Sequence, residues 1–388
     1  MKSIVRVPNY MNQFQCIAGA CEETCCAGWY IAIDEATYKK YKKVKVPDMK
    51  KRLDKELVAK KGQELGAYAA KIKLKNNRCA FLAKDNFCDI YKHLGEAYLS
   101  ETCKMYPRNT NQIGDAVELS LALSCPEAAR LILLNKEPIH FENEEYEALP
   151  IVGANLKLNT KQPKHFEDYL MPMRQLLIEV MQEQKLTFEE KWQCLGQIMM
   201  TFHQLKQRNE TKKLVQYLQT MKDKGYLKLK GHKLSKEDEN LLGSQGIGKL
   251  YQILMGMRAA KKWPSTRYET CYNQMIECFD NPFNLEMYQE KASQFEHTFL
   301  KEYGYILENY FVNYLYERLV PIDQKTPLES FNEMTIYLAL LKLHLMGNLE
   351  FKEQLDKEQI VMCIQSFSRV FDHNELYRVQ IKKQLQGK

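Results

Sequence analysis

The chain has 388 residues, a formal net charge of +7, 45% hydrophobic residues and 27% charged residues. That length allows two or three domains with sizeable cores, and that composition excludes long disorder. Met1–Pro8 lacks the apolar core of a signal peptide and no run of about eighteen apolar residues occurs, so the expectation is a cytoplasmic protein with no membrane span.

In chain order, the first feature is the loop Cys16-Ile-Ala-Gly-Ala-Cys21-Glu-Glu-Thr-Cys25-Cys26-Ala-Gly-Trp29, in which Gly19 and Gly28 let the backbone turn. Residues 35–75 have a helical composition of Lys, Glu, Leu and Ala, and Pro47 divides it into two helices. Lysines crowd the stretch Lys39–Arg78, but only Arg52 and Arg78 accompany them as arginines. This reads as a solvated helical face, and no nucleic-acid partner is expected. A second set of cysteines follows at Cys79, Cys88, Cys103 and Cys125, among loops and short helices with a short strand at Ala116–Leu123. Pro126–Asn135 has apolar residues at helical spacing, whereas 136–164, with Pro138, Pro150 and Pro163, has little periodicity.

Beyond it the pattern is helical over Tyr169–Gln184, Phe188–Gln207, Thr211–Lys222, Glu237–Met257, Asn284–Leu319, Leu328–Met346 and Asp356–Phe371. The expected organisation is a cysteine-rich metal-binding module over 1–135, a linker over 136–164 and a helical domain over 165–388, mainly α overall. A doubly wound nucleotide-binding fold is not expected. The glycine-rich stretch Gly243-Ser-Gln-Gly246-Ile-Gly248 follows the helix-capping sequence that starts at Ser235, not a strand, and reads as a connection between helices.

Eight of the twelve cysteines, Cys16, Cys21, Cys25, Cys26, Cys79, Cys88, Cys103 and Cys125, lie in the first third. In a reducing compartment such density points to metal or redox chemistry; a disulfide framework is the alternative. No C-x-x-C knuckle occurs, which argues against a standard zinc finger, and thiolate-held iron–sulfur clusters tolerate dispersed ligands better. The expectation is an iron–sulfur site, of the 4Fe-4S type, with zinc as the alternative. Cys194, Cys271, Cys278 and Cys363 are scattered on helical patterns and read as small buried side chains.

The pattern Cys21-x-x-x-Cys25-Cys26-x-Gly28-Trp29, Cys79-x-Phe81-Leu82, Cys88-x-Ile90-Tyr91 and Cys103-x-x-Tyr106-Pro107-Arg108 resembles the cysteine cluster of the YkgJ-like zinc- or iron-chelating proteins. Joined to Asn9-Tyr10-Met11, Phe14-x-Cys16, the run Leu307–Tyr314 and the run Phe367–His373, it resembles the flagellin lysine-N-methylase (FliB) family over nearly its full length. The resemblance implies methyl transfer from S-adenosylmethionine to lysine ε-amino groups of flagellin, with an iron–sulfur cluster attached to the reaction. A non-catalytic metal-binding scaffold and a cluster-dependent oxidoreductase are the competing readings.

Such a reaction needs the lysine as a neutral amine, which burial or nearby positive charge favours. Tyr91 and Tyr106, tied by sequence to cluster cysteines, are the candidate catalytic residues; the bland reading is that they cover the metal site. Trp29, Asn309, Tyr310 and Asn313 are the candidate cofactor-binding residues. For Trp29 the bland reading is packing. For the i, i+4 asparagine pair it is hydrogen bonding between helices. The spacing Cys21-x-x-x-Cys25-Cys26 lacks the last interval of the radical type of S-adenosylmethionine enzyme. The cluster could bind the cofactor or hold the fold together.

Overall fold

Val5 and Val7 are buried while Ile4 is 58% exposed, an alternation that makes Lys2–Pro8 a strand with one face on the core. It pairs in parallel with Ala116–Leu121, Val5 opposite Val117, and antiparallel with Phe141–Glu147 from Lys2 opposite Glu147 to Pro8 opposite Phe141. Ala116–Leu121 pairs antiparallel with Arg108–Ile113, which takes Asn155–Leu156 on its far edge and completes a five-stranded sheet. The computed structural model describes residues 2–29, 31–60, 68–260, 262–351 and 354–386.

The protein is mainly α, with small sheets. Residues 136–164, expected as a linker of little periodicity, contribute two strands to the sheet. Phe141–Glu147 is an edge strand rich in glutamate, a charged edge of the kind that blocks sheet-to-sheet pairing, so its hydropathy gives no strand signal. The two helices read on either side of Pro47 are present, Glu35–Lys42 and Pro47–Glu56. Asp34 caps the first by accepting from Thr37 N at 2.8 Å, and Pro47 starts the second, where a missing N–H costs nothing. Tyr41, Val44, Met49 and Leu53 point inward and Lys39, Lys40, Lys42, Lys43, Lys45, Lys51 and Lys55 outward, so the lysine run is a solvated face. The helical reading fails in the back half of 35–75: Leu57–Ala59 and Ala70–Ile72 join Ala32–Ile33 in a three-stranded sheet, and Leu74–Lys75 pairs with Arg78–Cys79. Part of that stretch, 61–67, lies outside the described residues.

The helical half matches its hydropathy pattern closely. Phe188–Gln207 and Thr211–Lys222 have the expected bounds, and Asp356 caps Lys357–Phe371. Gly243 divides the region read as one helix into Lys236–Leu242 and Ser244–Ala260. Two helices, Thr266–Phe279 and Glu375–Leu385, were not expected; the first buries a regular stripe of Tyr268, Cys271, Tyr272, Met275 and Phe279, and the second buries only Ile381. Lys301–Arg318, buried almost all round, packs on Ala116–Leu121 and on the helices Pro126–Leu133 and Leu170–Met181, and so joins sheet to bundle. A buried ion pair, Arg174 with Glu118, and the Tyr10 hydroxyl donating to Asn313 Oδ1 cross the same seam. Among the described residues, no helix is long and apolar enough to cross a membrane.

Candidate functional site

The cysteine loop is held against the helical half by buried polar contacts. Arg369, on the helix Lys357–Phe371, donates from Nη2 to the carbonyls of Thr24 at 2.9 Å and Ala27 at 2.5 Å. Its Nε lies 3.4 Å from Glu23 Oε1, and the two side chains are 8% and 10% exposed. Glu23 also accepts from Ser265 Oγ at 2.5 Å and Gln365 Nε2 at 2.8 Å. Gly28 has φ +86°, and a Cβ there would sit 3.4 Å from Pro264 O and 3.6 Å from Arg369 Nη2, so glycine serves both the turn and the close approach. The loop therefore owes its shape to residues more than two hundred positions away.

The eight thiols fall into two neighbouring sets. Cys26, Cys79, Cys88 and Cys103 pack into a small apolar cluster with Ile31, Ile33, Tyr41 and Phe81. Cys16, Cys25 and Cys125 gather about Cys21. A hydrogen bond that the Cys25 thiol donates to Cys26, followed by burial, raises the Cys25 thiol, while burial pushes Cys79, Cys103 and Cys125 each up to about 12. Neighbouring thiolates reinforce each of these shifts, so the sets are electrostatically suited to a cation that would hold them deprotonated. The donor chemistry fits a thiolate-bound metal or cluster. Among the described residues, however, no three Cys, His, Asp or Glu side chains stand at metal-ligand spacing. Cys194, Cys271 and Cys363 are buried as small side chains; Cys278 is half-buried.

Two clefts open beside the loop. The larger, about 750 Å³, is lined by Glu22, Glu23, Asn77, Trp263, Arg369 and Tyr377 among others. The smaller, about 490 Å³, is lined by Arg108, Asn109, Asn111, Glu317, Arg318 and Asp372 among others. Trp29, Tyr106 and His373 line both, and mark where the clefts meet. The rings of Trp29 and Tyr106 are 5.7 Å apart at 38°, and Trp29 Nε1 donates to Cys25 O at 2.7 Å, which fixes the indole to the cysteine loop. The Tyr106 hydroxyl is 3.1 Å from Ser124 Oγ, which is 2.7 Å from His373 Nε2, a hydrogen-bonded row across the junction. Burial keeps the Tyr106 phenol far above its ordinary range, so it acts there as a neutral hydrogen-bonding group.

Of the residues singled out from sequence, the structure brings Trp29 and Tyr106 together and next to the cysteine sets. It does not bring Tyr91 there: its side chain is 52% exposed, on the short helix Asp89–Leu94, and it lines neither cleft. Asn309, Tyr310 and Asn313 line neither cleft either. Asn309 Nδ2 donates to Asn135 O at 2.7 Å, Asn313 Nδ2 to Leu121 O at 3.1 Å, and Tyr310 stacks on Tyr314. Their place is the seam between sheet and helices. Sequence reasoning passed over Ser124, Glu317, Arg369 and His373. The run Phe367–His373 held two of them, but an arginine near the end of an apolar helix and a histidine just past it carry no spacing rule that marks a site.

The profile of the FliB lysine N-methylase C-terminal domain matches residues 174–388. The chain is similar to a lysine-N-methylase of Salmonella typhimurium, 30% identical over 166 residues, 41% of this chain and 41% of that protein. A lysine-N-methylase of Salmonella choleraesuis gives the same identity and coverage. The flagellar biosynthetic protein FliU of Salmonella muenchen is 34% identical over 136 residues, 34% of this chain and 79% of FliU. The matched stretch thus spans less than half the length of the two lysine-N-methylases. No solved structure matches.

Proposed function

The chain belongs to the FliB lysine N-methylase family, and from that membership we propose that it transfers methyl groups from S-adenosylmethionine to lysine ε-amino groups of flagellin. The observation that carries the reading is the meeting of the two clefts at Trp29, Tyr106 and His373. Methyl transfer between a cofactor-sized donor and a side-chain amine needs two pockets converging on one point, with the reacting atoms held in line. S-adenosylmethionine, when bound, supplies the electrophilic methyl carbon.

The larger cleft has the size of an ordinary cofactor pocket, and the faces of Trp29 and Trp263 there suit a sulfonium cation. In the smaller cleft, Tyr106 and Trp29 form an aromatic wall for the apolar stem of a lysine, and Glu317 offers a carboxylate to its head. The row Tyr106–Ser124–His373 orients polar groups at the junction and can pass a proton between neighbours. Arg369 and Glu23 keep the cysteine loop, and with it Trp29, against the junction.

Four of the eight cysteines Cys16, Cys21, Cys25, Cys26, Cys79, Cys88, Cys103 and Cys125 would hold an iron–sulfur cluster, with zinc as the alternative. Bound there, such a group supplies folding free energy to the loop that walls both clefts. The proposal is tested by purifying the protein without oxygen, measuring iron, sulfide and zinc, and measuring S-adenosylmethionine binding by equilibrium dialysis. The expected results are iron with matching sulfide, saturable binding, and about tenfold weaker binding in Trp29→Ala, the loss of roughly 1–2 kcal/mol of cation–π contact. No binding by the cluster-loaded protein would overturn it.

A further inference from the structure

The smaller cleft contains two carboxyl groups whose surroundings differ. Asp372 is spoken for: Arg318 Nη2 donates to its backbone carbonyl at 2.8 Å and lies 3.6 Å from its Oδ1. Glu317, at the end of Lys301–Arg318, forms no ion pair among the described residues, since the Arg318 guanidinium is directed to Asp372 and acts on Glu317 only through its charge. Its Oε2 accepts from Asn313 Nδ2 at 3.4 Å, a long contact that positions the carboxylate without neutralising it. Asn313 is itself fixed. Its Oδ1 accepts from the Tyr10 hydroxyl, which leaves Nδ2 to serve Leu121 O and Glu317. The Glu317 backbone is held too, its carbonyl accepting from Asn111 Nδ2 at 2.9 Å, and Asn111 Oδ1 accepts in turn from Ala154 N at 2.8 Å. A carboxylate lining a cleft, held from both ends and engaged in no ion pair among the described residues, is the arrangement a general base requires.

We propose that Glu317 is the catalytic base that takes the proton from the substrate lysine ammonium in the smaller cleft. The inference rests on the methylase reading above. In the step, an N–H bond of the ammonium breaks as an O–H bond forms on the Glu317 carboxylate. The freed amine lone pair then forms the new C–N bond to the methyl carbon, while the C–S bond breaks and sulfur keeps its electron pair. The charged and titratable groups facing Glu317 are Tyr10 across the seam, Arg108 and Tyr106 from the sheet side, and Arg318, Asp372 and His373 from the helical side. Burial raises the Glu317 carboxyl to about 7, against the opposing pull of Arg318, which matches the range in which a base is both ionised and able to hold a proton. His373 is a poorer candidate, since its Nε2 is engaged by Ser124 and three arginines, Arg318, Arg369 and Arg378, bear on it.

The test compares wild type, Glu317→Gln and Glu317→Asp in the anaerobically purified full chain. Three properties are measured: S-adenosylmethionine binding, thermal unfolding, and methyl transfer to flagellin from about pH 6 to about pH 10. The wild-type rate should rise through about pH 7 and then level off, as the base ionises. Glu317→Gln should bind the cofactor as wild type does, transfer methyl about 100-fold more slowly near neutral pH, and gain about tenfold per pH unit toward the lysine range, because only spontaneously neutral amine then reacts. Glu317→Asp should recover part of the rate and the levelling pH profile, which a purely structural role would not restore. A Glu317→Gln protein with wild-type rate and profile would overturn the proposal alone, and so would a folded Glu317→Asp that shows the Gln profile. A cluster-loaded wild type that binds S-adenosylmethionine yet transfers no methyl would overturn this proposal and the reading beneath it together.

Discussion

Arg369 to Ala should release the cysteine loop from the helical half while leaving both otherwise folded. The side chain gives two charge-assisted hydrogen bonds to loop carbonyls, at 2.9 Å to Thr24 and 2.5 Å to Ala27, and an ion pair at 3.4 Å to Glu23. Hydrogen bonds from a charged donor contribute about 1.5–3 kcal/mol each, and stranding one partner of a buried pair costs about 3–5 kcal/mol; these overlap and do not add. Glu23 keeps Ser265 and Gln365 as donors, which places the cost at the lower end, about 3 kcal/mol. That energy corresponds to roughly 100-fold more frequent opening of the loop. Native-state hydrogen exchange read by mass spectrometry on peptides spanning 22–29 should show this acceleration, with peptides from the sheet unchanged. Arg369→Lys should fall between, because an ammonium cannot reproduce the fork that reaches two carbonyls at once. Loop exchange within about twofold of wild type in Arg369→Ala, or equal acceleration over the whole chain, would refute the reasoning.

Other consequences follow from the same contacts. Tyr91→Phe should leave methyl transfer and stability unchanged, within about 0.5 kcal/mol by chemical denaturation, since Tyr91 is exposed and outside both clefts. Tyr106→Phe should slow transfer and cost about 1 kcal/mol through the lost bond to Ser124. Glu118→Gln should destabilise by about 3–5 kcal/mol, because Arg174 and Glu118 are 2% and 1% exposed and the arginine would be left buried without its counter-ion. His344, with its Nδ1–H donated to Leu340 O at 2.7 Å and its Nε2 accepting from the Tyr268 hydroxyl at 2.8 Å, is satisfied only when neutral. Burial holds it down at about 4, below the 6.5 of an unfolded histidine. The unfolded state therefore binds more protons between those values, and stability should fall as pH drops from about 6.5 through about 4, by up to roughly 3 kcal/mol. Urea titrations of wild type and His344→Gln should show that slope in the first and its loss in the second.

Periodicity made the helical half legible because its helices bury one broad face or are buried all round, and Phe188–Gln207 and Thr211–Lys222 could be bounded to the residue. The five-stranded sheet was not legible beyond Ala116–Leu121. Its edge strand Phe141–Glu147 is mostly glutamate, and its pairing with Lys2–Pro8 joins residues more than a hundred positions apart. Of the site, the cysteine spacing marked the loop and its neighbours, and the aromatic residues attached to it, Trp29 and Tyr106, do meet at the cleft junction. The asparagine pair Asn309 and Asn313 was conspicuous for a structural reason: its buried amides satisfy the carbonyls of Asn135 and Leu121 where sheet and helices meet. Glu317 and His373 carried no local signal, since a base is defined by what surrounds it after folding.

Methyl transfer to lysine would take place at the junction of the two clefts. Flagellin incubated with the cluster-loaded protein and methyl-labelled S-adenosylmethionine, then digested and sequenced by mass spectrometry, tests it most directly. Label is expected on lysine ε-amino groups with wild type, and its sharp loss with Tyr106→Phe and Glu317→Gln. Flagellin lysines left unlabelled by a protein that binds the cofactor, or label that is indifferent to both substitutions, would contradict it.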